Sequence, residues 1–374
     1  MSPTWTVPSP SSGCTIALLS TWMALGPVAC GDDATAEGSD TSTGQTTSEG
    51  TTAVDSSGPG TTDDGATSSG SSSSSDTGMV DSSGSGTSTG AETETDTAGF
   101  DCSTLPPGPL PFEEVFAAGT VFDGSEDIAF DGQGHLAGKS GAEVRLVSPD
   151  GTVVDDWPDP GGTYGLRFRA NGELLAAKYA NGEIRIVNGA GPLVTMAGGV
   201  NGLYPDFDDN VWFTNGSSVR RINPDGSVDA IVTGNPEAAS TNGVVLDPTR
   251  GLLFYSNYGP GLIRSVVIDG DGSPGVVSMV ASIPNAFIDG LSMDACGNLY
   301  AMDQGSATLY RVWLDEAGVA VGMPEELAQF PTNVANAVFG RGPGFDEHSL
   351  YAAGIPGGVY RVEVGVPGAP YPTP

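Results

Sequence analysis

Basic residues are scarce. The 374-residue chain holds 13 Lys and Arg against 46 Asp and Glu, a formal charge of −33 at pH 7. The first base is Lys139, whereas 13 of the acids lie between Asp32 and Asp96. After Phe100 there remain 33 acids against 13 bases, a net of −20. Such a field repels phosphate backbones and argues against nucleic-acid binding. Only two histidines occur, His135 and His348, which argues against His-rich metal sites and His-based triads. No apolar run reaches the roughly 18–20 residues of a membrane span. The best stretch, Thr15 to Ala29, contains Pro27 and several polar residues and reads as the apolar part of an export signal. The folded region has no Gly-x-Ser-x-Gly elbow or Walker loop. Long helical periodicity is also missing after residue 100.

Three zones follow from composition. Residues 1–30 end in Gly26-Pro27-Val28-Ala29-Cys30, which resembles a bacterial lipobox with Cys30 as the lipidated residue. Pro27 stands where that motif prefers Leu, and no Lys or Arg precedes the apolar stretch. Lipid attachment is the expectation, with plain secretion and an uncleaved segment as alternatives. Residues 31–100 are Ser, Thr, Gly and Asp with almost no aromatic or branched apolar side chains. They cannot bury enough area to offset their ordering entropy, so a disordered linker is expected. Roughly 70 such residues reach about 45 Å. The chain is therefore expected to be exported, as an envelope lipoprotein or an extracellular protein, meeting a membrane only through its anchor.

Residues 101–374 are repetitive. Six segments share a polar opening residue, two or three apolar residues, an Asp- or Asn-rich turn with Gly, and another apolar strand. They open at Glu126, Tyr164, Asn201, Asn242, Asp289 and Asn336, at intervals of 38, 37, 41, 47 and 47 residues. An Arg within a short apolar strand follows each opening: Arg145, Arg185, Arg220 or Arg221, Arg264, Arg311 and Arg361. These Arg are expected to pack or pair between blades. Strands of 4–6 residues separated by Asp-Gly turns are antiparallel, and four of them per roughly 40 residues is the size of a propeller blade. The expected fold is all-β, a six-bladed β-propeller.

In a propeller the innermost strand of each blade lines a central channel. The six opening residues would then stand at one height near one mouth. Glu126, Asn201, Asn242 and Asp289 would aim four side-chain oxygens at the axis, with a combined charge of −2. Oxygen-only ligation suits one divalent cation, Ca²⁺ first and Mg²⁺ or Mn²⁺ as alternatives. Asn-Gly is also a common turn dipeptide, and Asn171-Gly172, Asn181-Gly182, Asn188-Gly189 and Asn215-Gly216 are read as turns. Asn201 and Asn242 differ by register, because each opens a repeat. The competing reading is a polar channel lining with bound water.

The order Glu, Asn, Asn, Asp around six blades resembles the propeller family of SMP-30 (regucalcin), gluconolactonases and luciferin-regenerating enzyme. Thr241-Asn242-Gly243-Val244-Val245-Leu246-Asp247 is similar to that family's central blade, and Ile288-Asp289-Gly290-Leu291-Ser292-Met293-Asp294 to the next. Phe339-Gly340-Arg341-Gly342 with Ser349-Leu350-Tyr351-Ala352 resembles the closing blade. The resemblance implies a divalent cation and hydrolysis of a lactone or related ester. It implies Glu126 as the metal anchor, Asn201 and Asn242 as ligands that also touch substrate, and Asp289 as both ligand and catalytic base or nucleophile. Tyr164 and Asn336 would line the substrate pocket. Ala197-Gly198-Gly199-Val200 lacks the basic residue that sugar-lactone members carry before the first Asn. A non-catalytic propeller that binds a ligand or protein partner is the alternative reading, followed by a metal-stabilised structural lipoprotein. Cys102 and Cys296 form an even pair in an exported domain, and whether they bond stays open.

Overall fold

The computed structural model describes residues 100–159, 162–189 and 191–374. The expected leader, Cys30 and the linker through residue 99 lie outside the described residues. What is described is all-β apart from one 3-10 turn at Tyr179–Asn181. Six four-stranded antiparallel sheets follow one another as meanders, the blades of a propeller. The first blade spans Ile128–Phe130 to Val153–Pro158, and the second spans Thr163–Phe168 to Gly191–Thr195. The third runs from Leu203–Pro205 to Val228–Thr233, the fourth from Thr241–Asp247 to Pro274–Ser282, and the fifth from Ile288–Met293 to Glu325–Gln329.

The sixth repeat supplies only three strands, Asn336–Phe339, Ser349–Ala353 and Val359–Glu363. Its outer strand is Phe112–Phe116, from the other end of the domain, paired antiparallel with Val359–Glu363. The ring is thus closed by hydrogen bonds between the two ends of the domain. Phe112 packs against Phe330 and Tyr360 at ring separations of 5.3 and 5.8 Å, adding apolar contact to the closure.

Burial falls from the axis outward, and the sequence follows it. Second strands such as Leu174–Lys178, Leu252–Asn257 and Leu299–Asp303 are buried along their whole length. Outer strands such as Val153–Pro158 are largely exposed. The core is a series of apolar seams between neighbouring blades. Ala129, Ala137 and Val144 of the first blade, for example, meet Leu166, Phe168 and Leu174 of the second. Each seam removes apolar area from water, which is what favours the ring.

The channel has one closed end. After the last strand the chain turns back under the ring. The Ala295 N–H donates to the Pro367 carbonyl and the Ala369 N–H to the Met293 carbonyl, both at 2.9 Å. The Arg341 guanidinium donates to the Ala369 carbonyl at 2.6 Å and lies 5.3 Å over the Tyr371 ring. The Tyr371 hydroxyl reaches the Phe168 carbonyl, and its ring meets Tyr204 edge-on at 5.3 Å. The tail therefore touches five blades: the fifth, sixth, second and third here, and the first where Thr373 faces Gly132. A cavity inside the channel is lined by Phe130, Phe168, Leu291, Met293 and the tail residues Ala369 and Tyr371.

Cys102 and Cys296 are joined by a disulfide, with Cα atoms 5.7 Å apart. Cys296 neighbours Ala295 in the turn that holds the tail, so this bond lies at the closed end. The arm that follows Cys102 runs along the fifth blade. The Gly108 N–H donates to the Glu325 carboxylate at 2.7 Å, and the buried Arg311 donates to the Pro106 carbonyl at 2.9 Å. The Arg series pairs within blades rather than between them: Arg145 with Glu143, Arg185 with Glu183, Arg311 with Glu325 and Arg361 with Glu113. The reason is strand register, which sets each Arg beside an acid two residues away or on the neighbouring strand of the same sheet.

Candidate functional site

The other end of the channel carries the opening residues of the repeats. Three of them sit at β-bulges of the innermost strand. Pairing passes from Thr241↔Asn257 to Val244↔Tyr255, which leaves one extra residue at Asn242-Gly243. It passes from Ile288↔Asp303 to Leu291↔Ala301, with the extra residue at Asp289-Gly290. It passes from Thr163↔Lys178 to Gly165↔Ala177 around Tyr164. A bulge breaks the alternation of the strand and re-aims a side chain, here toward the axis.

A glycine follows each of Tyr164, Asn201, Asn242 and Asp289 for a reason unrelated to turns. A Cβ on Gly165 would lie 2.2 Å from the Asn201 carbonyl oxygen, and one on Gly202 would lie 2.2 Å from that of Asn242. One on Gly243 would lie 2.4 Å from the Asp289 carbonyl oxygen, and one on Gly290 would lie 2.0 Å from Asn336 Oδ1. Each glycine thus lets the next blade's opening residue sit against its backbone. The turn glycines Gly172, Gly182 and Gly216 instead have φ of 85°, 65° and 76°, the left-handed backbone.

Hydroxyls on two second strands satisfy the backbone that the bulges free. The Gly243 N–H donates to Ser256 Oγ at 2.8 Å, and that hydroxyl donates to the Asp289 carbonyl at 2.9 Å. One blade earlier, the Gly202 N–H donates to Thr214 Oγ1 at 2.9 Å, and Thr214 donates to the Asn242 carbonyl. Both hydroxyls are fully buried. Asn242 and Asp289 are therefore positioned through the preceding blade as well as their own.

Glu126, Asn242 and Asp289 are buried, while Asn201, Tyr164 and Asn336 are half-buried. Burial raises the Glu126 carboxyl well above its usual range, and the charges of Asp289 and then Asp127 raise it further. Burial likewise pushes Asp289 well up, reinforced by Asp127 and partly opposed by the Asn242 carboxamide. Among the described residues neither carboxylate has a Lys, Arg or His ion-pair partner. Asn242 Oδ1 is buried without a hydrogen-bond partner. An unpaired buried carbonyl oxygen and two buried carboxylates without a cationic side chain are costly as they stand. An oxygen-seeking cation would relieve all three, so the donor set fits the expected ion. Among the described residues no group of three or more His, Cys, Asp or Glu is poised for a metal; this set depends on its two amides.

Asp127, next to Glu126, does different work. It is fully buried, ion-paired to Arg167, and accepts the Ile128 and Leu166 N–H groups, each at 2.9 Å. It thereby locks the first blade to the second directly beneath Glu126. Asn336 lies over Gly290 with Oδ1 accepting the Ala337 N–H at 2.9 Å, so it buttresses Asp289. His135 and His348 occupy turns between first and second strands, the closed-end side of the ring, so no histidine joins the site.

Four aromatic side chains surround the mouth. The rings of Tyr164 and Tyr179 are 5.1 Å apart, and those of Tyr258 and Phe287 are also 5.1 Å apart. Burial raises the Tyr164 phenol, with a further contribution from the Glu126 charge. Burial and then the charges of Asp289 and Glu126 push Tyr258 up to about 12. Its hydroxyl donates to the Gln304 side-chain carbonyl. Thr214 with Ser256, and Tyr179 with Tyr258, share register near the ends of their second strands, but the residue type there varies from repeat to repeat and does not mark them, while Asp127 and Phe287 have no counterpart in the other repeats. The hydroxyl partners follow a rule only once the bulges are seen.

No protein-family model and no curated protein sequence matches the chain. Solved structures do match in fold. A luciferin-regenerating enzyme aligns with a TM-score of 0.58 at 15% identity, over 71% of this chain and 99% of its own. Regucalcin from Agrobacterium tumefaciens, described as a calcium-binding protein, aligns with a TM-score of 0.55 at 15% identity, over 71% and 97%. A gluconolactonase from Xanthomonas campestris aligns with a TM-score of 0.53 at 20% identity, over 70% and 99%. The described domain thus has the six-bladed propeller fold of these proteins, as the repeat pattern and the family resemblance led one to expect.

Proposed function

We propose that the domain is a divalent-cation-dependent hydrolase of a lactone or related ester, acting at the open mouth of the channel. The observation that carries this reading is the buried set of Glu126 and Asp289, neither paired with a basic side chain among the described residues, beside the unpartnered Asn242 Oδ1. Glu126, Asn201, Asn242 and Asp289 would hold the ion, Ca²⁺ first, with Mg²⁺ or Mn²⁺ as alternatives. When bound, the ion supplies Lewis-acid polarisation of the substrate carbonyl. The chain's own residues do the rest. Glu126 and Asp289 bring two negative charges, and the two Asn bring neutral oxygens that do not quench the ion further. Asp289 takes a proton from water as the water oxygen bonds to the carbonyl carbon; when the bond from that carbon to the leaving oxygen breaks, Asp289 returns the proton to the departing oxygen. Ser256 and Thr214 hold the Asp289 and Asn242 backbones in place during this exchange, and the closed base leaves the mouth as the route of entry.

The fold resemblance to a gluconolactonase and to a calcium-binding regucalcin agrees with this reading. So does the export expected from the leader, with Cys30 as lipid anchor, since extracellular Ca²⁺ is plentiful enough for weak sites. The deciding experiment is turnover of a lactone and ester panel by metal-stripped protein with and without added Ca²⁺, beside Asp289→Asn. Calcium-dependent turnover that Asp289→Asn abolishes, with its melting temperature retained, supports the proposal. A panel with no turnover under any cation removes it.

A further inference from the structure

Resting on that hydrolase reading, we propose that the mouth selects substrates with a flat aromatic or apolar substituent over polyhydroxylated ones. The argument starts from what surrounds the carboxylates. Tyr179 is 49% and Phe287 43% exposed, large values for aromatic side chains that also pack in ring pairs. Each is one member of a ring pair, and each pair's other member, Tyr164 or Tyr258, lies within range of the Glu126 charge. The two pairs stand two blades apart and frame the Asn201–Asn242 side of the site.

Two polar groups near the mouth are already engaged, and an aromatic ring covers a third stretch. Gly199 lies directly under the Tyr179 ring, where a Cβ would come within 2.3 Å, so an aromatic face covers the stretch before Asn201. Lys178, next in sequence to Tyr179, is buried and ion-paired with Asp159. The Tyr258 hydroxyl is engaged by Gln304. Sugar hydroxyls need free, oriented donors and acceptors, whereas a ring or alkyl chain needs apolar faces. Besides the Tyr164 and Tyr179 hydroxyls, which point to no partner among the described residues, the faces of the two ring pairs are what this mouth offers.

Equilibrium binding of non-hydrolysable probes tests this apart from catalysis. A benzo-fused six-membered lactam and a polyhydroxylated six-membered lactam are titrated calorimetrically into the full domain, with saturating Ca²⁺ and after metal removal. The aromatic lactam is expected to bind at least tenfold tighter than the polyhydroxylated one. Tyr179→Ala and Phe287→Ala should each weaken it about tenfold, Tyr179→Phe should retain it, and none should alter the Ca²⁺-induced melting shift. Equal or reversed preference, no binding of the aromatic lactam, or unchanged binding in both alanine variants overturns the proposal. The Ca²⁺ shift and turnover, read on the same samples, report separately on the hydrolase reading.

Discussion

Ser256 holds Asp289 from the neighbouring blade: its hydroxyl donates to the Asp289 carbonyl at 2.9 Å while accepting the Gly243 N–H at 2.8 Å. Ser256 thus lies on a different sheet from the carboxylate it positions. Ser256→Ala should therefore leave a buried N–H and carbonyl unpaired and cost about 1–3 kcal/mol of stability in urea unfolding. It should also weaken Ca²⁺ binding, read as a smaller Ca²⁺-induced melting shift, whereas Ser256→Thr should restore both if the added methyl packs. Loss of stability with an unchanged Ca²⁺ shift would confine Ser256 to a structural role.

A second prediction concerns pH. The folded-state pKa values of Glu126 and Asp289 are raised above their ordinary range, chiefly by burial. A raised acid binds its proton more tightly in the folded state, so the metal-free domain gains stability as pH falls through the raised values toward the ordinary carboxylate range. It loses that stability as pH rises again. Saturating Ca²⁺ should flatten this dependence at the high-pH side. Asp127 and Asp294 are raised as well, so the diagnostic quantity is the difference between wild type and Glu126→Gln. A metal-free stability profile identical in the two proteins would count against the uncompensated pair.

The tail yields a third. Tyr371→Ala removes a ring that touches Tyr204, Arg341 and the Phe168 carbonyl. It should lower stability by about 3–5 kcal/mol, as aromatic truncations in packed sites do. The Ca²⁺-induced melting shift should survive, because the ring lies at the opposite end from Glu126 and Asp289. A lost shift with an intact fold would mean that the two ends are coupled.

The fourth is covalent. Cys102 and Cys296 are 194 residues apart, and their bond ties the arm before the closing strand to the fifth blade. Cys102→Ser should cost about 2–4 kcal/mol. Reduction of the wild type should bring it to the same midpoint, with no further effect of reductant on the variant. Equal stability of oxidised and reduced wild type would show that the arm's other contacts suffice.

The blade count was legible because repeats of about 40 residues carry a period that turns and apolar runs reveal. The opening residues were legible because Asn201 and Asn242 hold the same register as Asp289, unlike the Asn of Asn171-Gly172. The role of their glycines was not. Asn242-Gly243 and Asn215-Gly216 are the same dipeptide in sequence, yet one is a bulge pressed against the next blade and the other is a turn. That difference arises only when blades meet, so a single sequence does not contain it. The outer strand of the sixth blade was hidden for the same reason: Phe112 and Val362 pair across 250 residues of chain. Asp127 was hidden by its neighbour, since nothing local separates a residue facing the axis from one clamping Arg167.

The disulfide at Cys102 fixes where the described chain joins the ring: beside the tail, on the blind side. The described chain thus begins at the face opposite the one that carries Glu126 and Asp289, and neither it nor the tail crosses the lip.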